Sequence, residues 1–371
     1  MRAGIEARIL AAWTKYTGIE RSLLGLLEGL EDIADAPELL LYVRGTFSHA
    51  PPLPACARWR PIRIPALWLT LGLPIAARRD ACDLIYFPYP VMPPYCPLPT
   101  VVMIYDLTMF KNPEHYSAQM LKVFAKPMRH AATHATHLIA ISECTKRDLM
   151  ELFALPDDRI SAVPLGVGKK YHPIPQARDI VREAFGLQRP YVIFVGTVQP
   201  RKNLPRLIEA FARAAQAERL DHELVIVGHV GWLAEQSLRA AEKPDAKGRV
   251  RFLQYQEENL LPALYSAADA LAFPSLYEGF GLPVLEAMAC GTPVLTSNTS
   301  SLPEVAGEAS LLVDPLNTDE IAQALRRILS DQALRQSLRE KGMARARSFT
   351  WRKSAERTLS AFRRVRAGHR G

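Results

Sequence analysis

Two glycines stand just before a helix start, with one carboxylate beside them and another inside that helix. The segment FPSLYEGFGLPVLEAMACGTPVLTS, Phe273 to Ser297, reads as a strand ending at Phe273, then a loop with Glu278, Gly279, Phe280 and Gly281. A helix is expected from Pro283, where proline suits the first helical position. Glycines there let backbone N–H groups approach a ligand closely, and the helix N-terminus favours an anion. Glu286 is read in the first turn of that helix and Glu278 lies eight positions earlier. Two carboxylates flanking amides that cradle an anion suit a phosphorylated ligand with hydroxyls at both ends. A helix-dipole partner and a tight turn would account for the same residues equally well.

The elements around this segment alternate short β-branched runs with helical patterns, which predicts parallel sheets with crossover helices. Strands are expected at 4–7, 39–43, 84–87, 101–105, 138–140 and 160–163, then at 191–195, 224–227, 251–253, 270–273, 294–296 and 311–313. Helices are expected at 19–30, 117–133 and 143–153, then at 204–215, 260–267, 283–290 and 319–329. Residues 51–99 hold 12 prolines in 49 positions and are expected to form loops rather than regular helix. The Gly- and Pro-rich run Pro164 to Gln176 reads as a linker. The expected fold is therefore α/β: two doubly wound Rossmann-like domains facing a cleft, with ligands at the carboxyl ends of the strands. The expected division is 1–165, 166–350 and a basic helical segment 351–371.

At 371 residues the chain is long enough for two cores. Its net charge of +8 is unevenly spread: residues 326–371 hold 14 Lys/Arg and 3 Asp/Glu, a local +11, which leaves −3 for the rest. A chain-wide nucleic-acid surface is disfavoured, since phosphate binding needs a basic face on the folded body. The five cysteines are widely spaced without a CxxC pair, so neither a disulfide framework nor a zinc site is expected. The start reads as a strand rather than a signal peptide, and no apolar stretch is long enough to cross a bilayer. The run Ile64 to Ala77, with Arg63, Arg78 and Arg79 outside it, reads either as buried or as an interfacial contact. A cytoplasmic protein, touching the inner membrane face at most peripherally, fits both.

The segment EGFGLPVLE resembles the E-x7-E signature of the retaining family-four, or group 1, nucleotide-sugar glycosyltransferases of GT-B fold. FVGTVQPRKNLPRLIEAF, Phe194 to Phe211, is similar to the family's first strand, loop and helix of the donor domain. There Gly196 and Thr197 end a strand, and Arg201 and Lys202 precede a helix whose dipole disfavours idle cations. The similarity extends over nearly all of residues 190–330. The amino-terminal half matches more loosely: Gly18 stands where a loop glycine approaches the donor's phosphates. Tyr105–Asp106 stands where relatives often carry His-Asp, a departure that leaves both roles open. Ser142 is the expected cap of the helix after it.

The resemblance implies that Arg201, Lys202 and Glu278 do the chemistry, the two cations on a leaving diphosphate and Glu278 on the donor hexose. It implies that Gly18, Gly196, Thr197, Gly279, Phe280, Gly281 and Leu282 line the donor site and that Glu286 takes the ribose hydroxyls. It implies transfer from a nucleotide-sugar donor, GDP-mannose first and UDP-sugars next, to a saccharide or lipid-linked acceptor. No separate cofactor is expected. No Asp-x-Asp occurs, so no metal is implied. A sugar phosphorylase, a nucleotide-sugar epimerase and a non-catalytic nucleotide-binding protein are the alternatives. An NAD enzyme is disfavoured because no GxGxxG follows the first strand. The basic carboxy-terminal segment reads as a solvated helical face or as an anchor to an anionic membrane.

Overall fold

β-Branched and aliphatic runs of three to seven residues form the strands, and in the computed structural model they make two separate parallel sheets. The structure describes residues 1–12, 18–45, 51–63 and 67–370. The chain divides into two compact units: unit 1 is 1–111, 118–166 and 349–371, and unit 2 is 112–117 and 167–348.

In unit 1 the strands are β1 (Arg2–Glu6), β2 (Glu38–Arg44), β3 (Ala57–Ile62), β4 (Leu84–Phe87), β5 (Thr100–Ile104), β6 (His137–Ala140) and β7 (Ile160–Ala162). They order as β3-β2-β1-β4-β5-β6-β7, all parallel. Strands β4, β5 and β6 are buried along their whole length, as a parallel sheet covered on both faces requires. Unit 2 contains β8 (Tyr191–Val195), β9 (Glu223–Val227), β10 (Val250–Phe252), β11 (Ala270–Phe273), β12 (Val294–Ser297) and β13 (Ser310–Val313). Their order is β10-β9-β8-β11-β12-β13, again parallel. The strand order reverses between β1 and β4 in one sheet and between β8 and β11 in the other. Doubly wound sheets bind ligands at such switch points.

The proline-rich stretch departs from its expectation. It contains β3 and a helix, Leu73–Arg79, as well as loops. β3 is an outermost strand, where Pro61 costs no central ladder bond, and Pro74 lies in the helix's first turn, where its missing donor is not needed. Helices Ala177–Phe185 and Glu235–Ala241 are also present beyond those expected.

The last helix, Trp351–Arg370, belongs to unit 1 and packs on helix Gly18–Leu30. Trp351, Ala355, Leu359, Phe362 and Val365 are buried at helical spacing, and Phe362 meets Tyr86 with ring centroids 5.4 Å apart. Gly25 and Gly29 make that docking close: a Cβ at either would stand 2.2 Å from Trp351. The opposite face carries Arg352, Lys353, Arg357, Arg363 and Arg364, all exposed. Part of the +11 segment is thus one face of a docked amphipathic helix.

Candidate functional site

The switch point of unit 2 gathers the two loops singled out in the sequence. β8 ends at Val195, the chain runs through Gly196 and Thr197, and a 3-10 turn, Pro200–Lys202, carries the two cations. β11, the neighbour of β8 across the switch, leads into the loop with Glu278 to Gly281. The loops are tied by the Leu276 N–H donating to the Arg201 carbonyl at 2.8 Å. Asn203, at φ +60°, fixes the turn by donating its amide to the Pro274 and Pro315 carbonyls.

Three of the predicted residues meet in one ion cluster. Lys202 Nζ donates to Glu278 Oε1 and Arg201 Nη1 to Glu278 Oε2, each at 2.5 Å. Arg201 Nη1 also donates to the Tyr277 carbonyl at 2.9 Å. Lys202 and Glu278 are each 6% exposed. Lys202 Nζ also lies 4.7 Å from the centre of the Phe273 ring, so an aromatic face supports the cation. Burial pushes the Glu278 carboxyl up, but the charges of Arg201 and Lys202 outweigh it and hold the group down at about 2. At neutral pH the cluster therefore holds two cations and one carboxylate, a net positive charge in a largely dry setting. That is suited to an anion such as a diphosphate.

Glu278 is thus engaged by the cations themselves. Glu286 lies in the second turn of helix Leu282–Ala289, not its first, because the helix takes in Leu282 and has no acidic residue in its opening turn. It is 3% exposed and accepts from the Tyr265 hydroxyl at 2.9 Å. Gly281 caps the helix at φ +111°, and a Cβ there would stand 2.7 Å from Leu302 Cδ2, so the position requires glycine. Gly279, Phe280 and Gly281 are buried and Leu282 is partly exposed. Gly196 donates its N–H to the Val227 carbonyl at 2.8 Å, and Thr197 beside it is partly exposed. Gly18 lies in unit 1, exposed, as the first residue of helix Gly18–Leu30 with open space around it.

Sequence reasoning missed what holds the Glu278 loop. The run Thr296 to Ser301, from the end of β12 into the turn after it, straps that loop with hydroxyls. Thr296 donates to the Phe273 carbonyl at 2.9 Å and Ser297 to that of Ser275 at 2.6 Å. Ser301 donates to the carbonyls of Glu278 and Phe280, both at 2.9 Å. Ser300 accepts from the Glu278 N–H at 3.0 Å. Five hydroxyl residues among the six positions of TSNTSS were the available signal. Also missed was the segment Asn112–Ser117, which belongs to unit 2. Trp232 Nε1 donates to the His115 carbonyl at 2.7 Å, and Tyr116 stacks on Trp232 with ring centroids 5.8 Å apart. Burial lowers the His115 pKa, Glu114 opposes that shift, and the charge of Arg201 adds to it.

The departure at Tyr105–Asp106 has a local explanation on one side. Asp106 Oδ1 accepts from the Thr108 N–H at 3.0 Å and so caps the short helix Thr108–Lys111. The Tyr105 hydroxyl is buried and makes no hydrogen bond among the described residues. Ser142 caps helix Glu143–Phe153, accepting from the Thr145 N–H at 3.0 Å.

The family model for "Glycosyl transferases group 1" matches residues 176–345, and that for "Glycosyltransferase Family 4" matches residues 16–169. O-antigen chain mannosyltransferase B of Escherichia coli is 31% identical over 365 residues, covering 94% of this chain and 96% of the relative. Among solved structures, the sucrose-phosphate synthase of Thermosynechococcus elongatus superposes with a TM-score of 0.74 at 22% identity over 99% of both chains. The Anabaena protein HepE, solved with UDP and glucose, gives 0.73 at 18% identity over 97% of this chain and 98% of its own. Both structural likenesses concern the fold.

Proposed function

The chain belongs to the group 1 glycosyltransferases, and from that premise we propose that it transfers a hexose from a nucleotide sugar with retention of anomeric configuration. The observation that carries this reading is the Arg201–Glu278–Lys202 cluster at the β8/β11 switch point. In the proposed reaction the bond from the sugar's anomeric carbon to the diphosphate breaks and a bond to the acceptor oxygen forms. The acceptor's proton passes to the departing diphosphate. The transition state is oxocarbenium-like, with negative charge growing on the leaving group. Arg201, Lys202 and the amides from Gly279 to Leu282 face that charge, Gly196 and Thr197 line the same site, and stabilising it is the largest contribution the protein makes. Glu286 holds the ribose, with Tyr265 fixing its carboxylate, and Glu278 contacts the hexose.

Mannose from GDP-mannose is the proposed donor and a UDP-sugar the second choice. The name of the Escherichia coli mannosyltransferase supports the first and the ligands of HepE the second. The proposed acceptor is a saccharide or lipid-linked saccharide in cell-surface polysaccharide synthesis, and no metal is proposed to take part. The test is a thermal-shift and turnover panel of GDP-, UDP-, ADP- and dTDP-sugars, with and without a chelator and inorganic phosphate. GDP-mannose is expected to stabilise the protein and release GDP with the chelator present. Stabilisation by none of the panel overturns the donor reading. Activity lost to the chelator and restored by manganese overturns metal independence, and sugar 1-phosphate formed only with added phosphate identifies a phosphorylase.

Work at an anionic membrane surface is part of the same proposal. No described helix is long and apolar enough to cross a bilayer. Residues 64–66 of the apolar run lie outside the described residues. In the rest, Trp68, Leu73 and Ala77 are buried while Leu67, Leu71 and Ile75 are 62%, 51% and 60% exposed. Those three are spaced by four, Leu67 just before the π-helical turn Trp68–Gly72, Leu71 within it and Ile75 in helix Leu73–Arg79, with Arg78 and Arg79 exposed beside them. An apolar stripe next to cations is suited to an anionic interface. Leu71→Glu with Ile75→Glu is expected to abolish co-sedimentation with phosphatidylglycerol vesicles, and unchanged co-sedimentation overturns this contact.

A further inference from the structure

Beside the edge strand β7, unit 1 has a groove of about 310 Å³ whose cations the proposed transfer does not use. Lys146 of helix Glu143–Phe153 lines it from one side, and Arg357 and Arg364 of helix Trp351–Arg370 from the other, with Ser161, Ala162 and Ser360 between them. β7 is outermost in its sheet, so its alternate backbone groups turn toward the groove rather than a strand. Asp157 is the one carboxylate lining it, 2.7 Å from Lys146 Nζ and largely exposed.

The two arginines differ from others on their helix. Arg352 pairs with Glu356 at 3.1 Å and Arg366 with Asp83 at 3.2 Å. Arg357 and Arg364 have no carboxylate partner among the described residues. They stand seven residues apart, two helical turns or about 10 Å, on the face toward Lys146. Under the groove, His137 Nε2 lies 2.8 Å from Ser161 Oγ. Burial, and next to it the charge of Arg364, holds the His137 imidazole down at about 4, as a positive potential at that place requires.

We propose that this groove is a second anion site, built to take a diphosphate or a pair of neighbouring phosphates between Arg357, Arg364 and Lys146. Two guanidinium forks and an ammonium against one exposed carboxylate leave a net charge of +2, which matches a diphosphate better than a single carboxylate. The phosphates come either from a free diphosphate or from two neighbouring phospholipid headgroups. None of the groove residues belongs to unit 2, so the site stands whether or not Arg201 and Lys202 hold a diphosphate.

The test follows the amide NMR signals of Ala162 and Val163 in the full chain while inorganic pyrophosphate is added, which reads this groove alone. Saturable shifts are expected in the wild type. In Arg357→Ala/Arg364→Ala their dissociation constant rises at least about tenfold. Arg352→Ala/Arg363→Ala, which removes the same charge from the same helix outside the groove, leaves it unchanged. Co-sedimentation with phosphatidylglycerol vesicles separates the sources. Loss in the groove variant alone assigns the headgroup, and equal sedimentation of all variants assigns the free diphosphate. Absent shifts in the wild type, or equal weakening in both double variants, overturns the site. Unchanged thermal unfolding of the variants keeps a negative result interpretable.

Discussion

Turnover of Lys202→Ala is expected to fall by about 10²–10³-fold, the cost of removing one well-aimed donor to a developing anion. Lys202 is placed for that effect by two neighbours and by its burial. Glu278 holds its ammonium at 2.5 Å, the Phe273 ring lies 4.7 Å beneath it, and only 6% of the residue is exposed. A cation held so tightly loses little rotamer freedom when a diphosphate arrives, so its contribution goes to the leaving group. Without it the cluster holds Arg201 and Glu278 alone and its net charge falls to zero. The loss is expected mainly in kcat, because charge on the diphosphate grows as the sugar bond breaks, with a smaller rise in KM. Steady-state kinetics on Lys202→Ala and on Lys202→Met, which keeps the side-chain volume, check this alongside circular dichroism. Near-wild-type turnover in a folded variant removes Lys202 from the diphosphate.

The parallel strands were legible because their burial on both faces leaves continuous apolar runs; 84–87, 191–195 and 270–273 agree with the sequence reading residue for residue. β3 was not legible. Its sequence ARWRPI alternates for only four residues before a proline, inside a proline-rich stretch, and has no apolar run to mark it. Helix Ala177–Phe185 was hidden by its polarity, although Gly186 at φ +63° caps its end. The residue types that meet at the β8/β11 switch point, a glycine pair before a helix start and an adjacent Arg-Lys, could be picked out in the sequence. Their pairings could not. Glu278 lies 76 and 77 positions from its cations, and Glu286 lies 21 from Tyr265. Such partners follow from which strands are neighbours across the sheet. The hydroxyls of Thr296 to Ser301 act the same way: they lie at the end of β12 and just after it, and β12 lies beside β11.

Glu278→Gln separates the two roles that the cluster combines. Glu278 has its folded pKa depressed from 4.5 to about 2. A depressed carboxylate stabilises the fold fully above its unfolded pKa and loses that contribution as pH falls through its folded pKa. The window therefore runs from about pH 4.5 down to about 2. Glutamine removes this contribution, so the variant is expected to be less stable at pH 7 by about 3 kcal/mol. The gap to wild type should close through that window, and denaturant unfolding at pH 7, 4 and 2.5 checks it. Parallel pH dependence in the two proteins shows that Glu278 is not the group that titrates. The functional effect has the opposite sign for binding and for chemistry. With its carboxylate gone, the cluster keeps both cations, and nucleoside diphosphate should bind more tightly than to the wild type. Transfer should nevertheless fall, since a carboxylate assigned to the donor hexose is gone and the cations hold the product longer. Tighter product binding with lower kcat is the signature of a carboxylate that tunes the cations and serves the sugar as well. Weaker diphosphate binding in a folded variant would mean that Glu278 only positions Arg201 and Lys202, and the sugar contact would then have to be sought elsewhere in the loop.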